Sequence, residues 1–247
     1  FEFGLSLYSN RPVSEDLVRS LPATLELVVF TTFMVVIFGF GFGILSARYE
    51  RRRFDQITRI ASIAFVSVPV FVWALLLIMI FAYWTQILPV GQRLGDFLTP
   101  PPTVTRFYTI DALIASDFEV FLDALAHLVM PAVALSLPSM AQIIRLTRTS
   151  MIETYRQPYI EFNRSYGIPE STIALKYALR PALVPILTIL GMQIVALLGG
   201  AFLIETVFAW PGMARYGVDA VLRKDVNAII AVVTITSIFF VVVNILI

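Results

Sequence analysis

Five stretches of the chain carry no Asp, Glu, Lys or Arg: Leu27 to Ala47, Ile60 to Gln92, Ala124 to Ile144, Pro181 to Ile204 and Val226 to Ile247. Each has at least 21 residues, and a bilayer core of about 30 Å needs about 20 helical residues. Backbone groups in hydrocarbon must bond within their own segment, which a helix achieves. A membrane β-barrel would show alternating apolar and polar residues over about 10 positions, whereas Val70 to Ala82 is apolar throughout. The pattern predicts an all-α polytopic membrane helical bundle with five visible spans, forming a single domain over residues 1–247.

Several residues interrupt these apolar runs. Gly39 and Gly43 form a small-xxx-small pair that lets another helix approach closely. Pro69, Pro131, Pro138 and Pro185 lie in or near spans, where each removes an amide donor and favours a bend. Glu26 sits one turn from a span end and is read as snorkelling or pairing between helices. His127 is read as structural. Gln193 and Ser67 either line a route or make ordinary interhelical hydrogen bonds.

Composition agrees with the pattern: 58% of residues are hydrophobic and 14% charged, with a mean hydropathy of +0.84. Cysteine is absent and there is one histidine, which leaves no thiol chemistry and little for a metal site. A net charge of +1 says little until it is divided between the two faces. The connections Arg48 to Arg59 and Arg145 to Arg180 together hold 11 Lys or Arg against 5 acids. The N-terminal segment and the other two connections hold 7 against 11, leaving out Glu26. By the positive-inside rule the first set is cytoplasmic. Residues 1–22 are then the end of an extracytoplasmic segment, and Phe1-Glu2-Phe3-Gly4 is neither a start methionine nor a signal peptide. The expectation is at least one further span before residue 1 and truncation at both ends.

The long outer connection, about Tyr83 to Asp123, contains Pro100-Pro101-Pro102 and five acids; Ile110 to Ile114 is expected as a short surface helix. The cytoplasmic region 157–181 is more informative. Gln157-Pro158 suits a helix start and Gly167 a left-handed end. A helix of about nine residues is marginal alone in water, so it needs other structure to lean on. Tyr159, Phe162 and Tyr166 fall at i, i+3 and i+7 as one aromatic stripe, with Glu161, Arg164 and Ser165 elsewhere. The stripe either anchors the loop at the membrane interface or docks on a partner. A second short helix is expected from Pro169 and Glu170, with Ile173, Tyr177 and Leu179 inward, ending where Pro181 opens the next span.

The residues from Glu161 to Gly167 resemble the cytoplasmic signature of the inner-membrane permease subunits of binding-protein-dependent ABC importers, in the dipeptide/oligopeptide/nickel branch. That signature runs Glu-Ala-Ala, three residues, then Gly; Glu161 and Gly167 match, while Phe162 and Asn163 replace the alanines. Leu21-Pro22-Ala23-Thr24-Leu25-Glu26-Leu27, His127-Leu128-Val129-Met130-Pro131, Arg145-Leu146-Thr147-Arg148-Thr149-Ser150-Met151 and Glu205 to Met213 also resemble this branch, so the likeness covers nearly the whole chain. It implies a type I ABC importer transmembrane domain in the inner membrane. The implied partners are a second homologous permease subunit, two cytoplasmic ATPase subunits, an extracytoplasmic solute-binding protein and the lipid bilayer, with no nucleic acid. Tyr159, Glu161, Phe162, Asn163, Arg164, Ser165, Tyr166 and Gly167 would form the coupling helix on the ATPase. Glu205, Phe208, Trp210, Pro211 and Gly212 would form an extracytoplasmic gate or binding-protein contact.

No G-x-x-x-x-G-K-[ST] loop or nucleophile motif occurs in the chain, so it is read as a transport subunit and not an enzyme. No cofactor is expected on the chain itself; ATP and Mg are expected on the partner ATPases. Peptides are the expected cargo, with nickel complexes or oligosaccharides as others the branch carries. A secondary transporter driven by an ion gradient would use buried acids or broken helices near the midplane, and the deeper spans lack such acids. A purely structural membrane partner is the third reading.

Overall fold

The computed structural model describes residues 3–7 and 9–246. The expectations that fall on Phe1, Glu2, Tyr8 and Ile247 lie outside the described residues. Apart from one isolated bridge between Leu5 and Pro12, the regular structure described is helical.

Four helices are long and apolar enough to cross a membrane: α1 (Val13–Arg48), α5 (Phe118–Tyr155), α7 (Glu170–Val207) and α9 (Val226–Leu246). The fifth expected span is not one straight helix. It is a pair, α2 (Arg53–Ser67) and α3 (Val70–Trp84), bent by 106°. The cause is Pro69, which forces Val68 into extended backbone (φ −95, ψ 128) and ends α2 there. Three short helices complete the set: α4 (Tyr108–Ile114), α6 (Pro158–Ser165) and α8 (Met213–Leu222). Wide π-helical turns occur at Val35–Phe40, Ile78–Trp84 and Ile173–Ala178.

The other prolines do not break their helices. Pro131, Pro138 and Pro185 all lie inside α5 or α7. Pro181 also lies inside α7, so the expected second short helix is the start of a 38-residue helix and not a separate element. Its missing amide frees the carbonyl of Tyr177, which instead accepts the Tyr159 hydroxyl at 3.3 Å. Pro22 inside α1 likewise frees the carbonyl of Val18, taken by Arg106 Nη1 at 2.7 Å.

The chain divides into two compact units. The first holds residues 1–31, 69–135 and 195–246. One of its cores gathers Val13, Leu17, Met213, Ala220, Ala228 and Val232, and another Leu94, Ala112, Val120 and Ala124. The short helix expected at Ile110 to Ile114 is present as α4 and begins two residues earlier, at Tyr108, with Asp111 and Ala112 buried. Burial pushes the Asp111 carboxyl up, but the amides of Thr105, Val104 and Arg106 and the Thr105 hydroxyl overcome this and hold it below its ordinary range. Burial raises the Tyr216 hydroxyl to about 12, and the charge of Asp16 adds to the effect.

The second unit holds residues 32–68 and 136–194. Its core includes Val35, Ile143, Met151, Ile160, Ile173 and Ile186. Gly39 and Gly43 pack against α5: a methyl group at Gly39 would lie 2.8 Å from Ile143 and one at Gly43 2.6 Å from Thr147. Each glycine thus faces one of two α5 residues with the same four-residue spacing, the close approach expected of the pair.

Candidate functional site: an exposed short helix and a buried turn

In α6, Gln157 is extended (φ −75, ψ 141) and Pro158 opens the helix. At the other end Gly167 has φ +74. Its amide donates to Arg164 O at 2.9 Å, and the Ile168 amide to Asn163 O at 3.3 Å. These are the paired bonds of a Schellman ending, which favours a glycine at the left-handed position. Open space surrounds Gly167, so backbone conformation and not crowding selects the glycine.

One side chain anchors the helix. Ile160 is fully buried in the core of the second unit, the cluster that also holds Met151, Ile152, Ile173 and Ala174. The aromatic stripe faces outward: Tyr159, Phe162 and Tyr166 are 41%, 60% and 73% exposed. The rings of Phe162 and Tyr166 lie 4.6 Å apart between centroids, so they present one apolar surface. Glu161 and Ser165 are also exposed and Asn163 is half-buried. Arg164 pairs with Glu170, Nε to Oε1 at 2.6 Å; this hydrogen bond raises the guanidinium pKa above its ordinary value. The pair ties the end of α6 to the start of α7.

Ile160 was not singled out in the sequence, although it is the only aliphatic residue in the helix. Asp55 was also missed. It is fully buried and accepts from Arg148 Nε at 2.5 Å and Nη2 at 2.8 Å, from the Ser46 hydroxyl at 2.6 Å and from the Arg51 amide at 2.9 Å. A bidentate arginine and two further donors offset the cost of burying this charge. They hold the turn between α1 and α2 against α5. In sequence Asp55 and Arg148 are 93 residues apart and signal nothing to each other.

The segment from Glu205 to Gly212 is mostly interior. Glu205, Phe208, Trp210 and Gly212 are buried and Pro211 is exposed. The Glu205 carboxylate accepts the Thr24 hydroxyl at 2.5 Å and the Arg215 amide at 2.9 Å, and Thr24 Oγ1 accepts the Met213 amide at 2.8 Å. The first amides of α8 are thereby capped from α7 and α1, since Gly212 at the cap position has no side chain. Trp210 Nε1 donates to Ala23 O at 2.9 Å. Glu26 pairs with Arg93 at 2.5 Å and accepts the amide and hydroxyl of Thr109. Arg93 also lies over the Tyr108 ring at 3.7 Å. His127 lies 3.3 Å from the Asp123 carboxylate. Glu26 and His127 therefore hold their places through partners, within the range of roles read from the sequence.

Gln193 and Ser67 differ from each other. Gln193 accepts the Ser139 hydroxyl at 2.9 Å and donates to the Gln142 carboxamide. Ser67 bonds its own helix, at Ile63 O.

Residues 39–247 match the model of the binding-protein-dependent transport system inner membrane component. The chain is 40% identical to the probable D,D-dipeptide transport system permease protein DdpB of Escherichia coli K12, over 100% of this chain and 72% of that protein. It is 37% identical to the di/tripeptide transport system permease protein DppB of Pseudomonas aeruginosa UCBPP-PA14, over 98% of this chain and 73% of that one. The fold resembles the solved MetNI methionine ABC transporter in inward-facing conformations, with a TM-score of 0.69 at 15% identity, covering 94% of this chain and 93% of that chain. With its apolar helices and this match over most of its length, the chain belongs to the family of inner-membrane permease components of binding-protein-dependent ABC importers.

Proposed function

We propose that the chain forms half of an ATP-driven route for di- or oligopeptides. Its partners in this reading are a second related permease, two cytoplasmic ATPases that hold ATP and Mg, and an extracytoplasmic solute-binding protein. The dipeptide and di/tripeptide permeases among its relatives support the cargo class. Residues 1–247 act as one permease domain, with 157–181 facing the cytoplasm, as the division of basic residues between the two faces implies.

The observation that carries the coupling role is the outward aromatic face of α6. A helix of eight residues with a single buried anchor is too short to persist alone, and the Phe162 and Tyr166 rings offer an apolar knob suited to a cleft on an ATPase. Tyr159, Glu161, Asn163, Arg164 and Ser165 frame that knob, and Gly167 sets its angle. Movement of the ATPases would then reach the spans through Ile160 and the Arg164–Glu170 pair. In this reading the buried turn from Glu205 to Gly212 is a gate element, and exposed Pro211 is its point of contact with a binding protein. The break at Pro69 is of a kind that ion-driven transporters use, but no Asp, Glu, Lys or Arg occurs from Ile60 to Gln92.

Reconstituted vesicles test the reading. Uptake of dialanine should require ATP, the ATPase pair and the binding protein together. Phe162→Ala should weaken co-purification of the ATPases by about tenfold or more, as for a buried aromatic at an interface. Uptake driven by an ion gradient alone would reject the proposal.

A further inference from the structure

A polar face of α5 in the second unit is used by neither the coupling helix nor the buried turn. Gln142, Arg145 and Thr149 follow at i, i+3 and i+7, and all three are exposed. With Leu146 and Ile189 they line a shallow, open hollow of about 360 Å³. Gln193, one turn beyond Ile189 on α7, extends the polar face inward through its hydrogen bonds to Gln142 and Ser139. Gln193 lies close to the middle of the charge-free run from Pro181 to Ile204.

Lipid is a poor neighbour for this face. Gln142 receives one bond on its carboxamide oxygen, while its amide hydrogens have no acceptor among the described residues, and no carboxylate there lies within 4 Å of Arg145. Arg145 alone could snorkel to the headgroups, but that leaves unexplained the amide ladder running inward from it. Polar groups within spans turn to partners or to water-filled cavities. The hollow offers N–H donors and one positive charge, and no acid lines it. That set complements peptide carbonyls and a terminal carboxylate.

We infer that this face of α5 lines the aqueous route of the cargo, with Arg145 holding the cargo carboxylate. The inference rests on the importer reading above. Because the chain has no cysteine, single Gln142→Cys, Arg145→Cys and Thr149→Cys variants can be labelled in the complete complex with cysteine-depleted partners. Leu187→Cys is the control: Leu187 is exposed and, two residues from Ile189, lies on the opposite side of α7. Because ionised thiols require water, a charged methanethiosulfonate reagent should label position 142 at least about tenfold faster than 187, with 145 and 149, which belong to the cytoplasmic connection, as water-exposed references. Equal rates at 142 and 187 would overturn the route. Arg145→Gln should reduce ATP-driven dialanine uptake about tenfold, the size of one charge-assisted hydrogen bond, with Arg145→Lys retaining most of it. Unchanged uptake by Arg145→Gln would overturn the carboxylate role. Wild-type uptake is measured in parallel: if it is independent of ATP, the importer reading itself fails, whereas ATP-driven uptake with equal labelling rejects only the route.

Discussion

Gly212 caps α8 and Gly41 lies inside α1, and their surroundings differ completely. A methyl group on Gly212 would lie 2.2 Å from the Glu205 carboxyl, whereas nothing lies within 4 Å of one on Gly41. Gly212→Ala must therefore push Glu205 away from Thr24 and from the Arg215 amide, leaving a buried carboxylate short of donors. The expected cost is about 2 kcal/mol or more, read as a lower unfolding midpoint of the purified complex. Gly41→Ala should melt with the wild type or slightly above it. A Gly212→Ala complex as stable as Gly41→Ala would show that Glu205 can move without loss. Gly39 and Gly43 were legible from their four-residue spacing, and Gly167 from its place after a short helix. The reason for Gly212 was not legible, because it depends on a carboxylate turned back across a bend.

Helix α6 shows how much of an element local sequence determines. Pro158 and Gly167 mark its two ends, and the structure has both, with the left-handed glycine and its two closing bonds. Which face it buries was not readable, because one aliphatic residue outcompetes three aromatics only where a core is waiting for it. Gly167→Val places a β-branched side chain in the left-handed region at a cost of about 1 to 2 kcal/mol. The closing turn should loosen while the Ile160 anchor remains, so the chain still inserts but transport-linked ATP hydrolysis falls severalfold. Normal coupled transport by Gly167→Val would show that the angle of α6 does not matter. The prolines teach the converse lesson. Pro69 divides two helices, whereas Pro22 and Pro181 stay within theirs, with Arg106 and Tyr159 taking the carbonyls they free. Those substitutes come from distant segments.

For the whole molecule, the proposed orientation is testable with two exposed polar positions, Thr99 in the long connection and Ser165 at the end of α6. An impermeant thiol reagent added to spheroplasts should label Thr99→Cys and spare Ser165→Cys, with the reverse in inside-out vesicles; the opposite pattern would invert the topology. By itself the sequence determined that the chain is a bundle of apolar helices and where most of them lie. Those properties follow from transfer energy and periodicity, which act residue by residue along one segment. The resemblance of short polar stretches to a permease family was equally local. Only the tertiary structure decided the 106° bend within one expected span, the pairing of Asp55 with Arg148 and of Glu26 with Arg93, and the interior place of Trp210 and Phe208. Each depends on which remote segment supplies a hydrogen-bond partner or an apolar wall, and no local pattern encodes that choice.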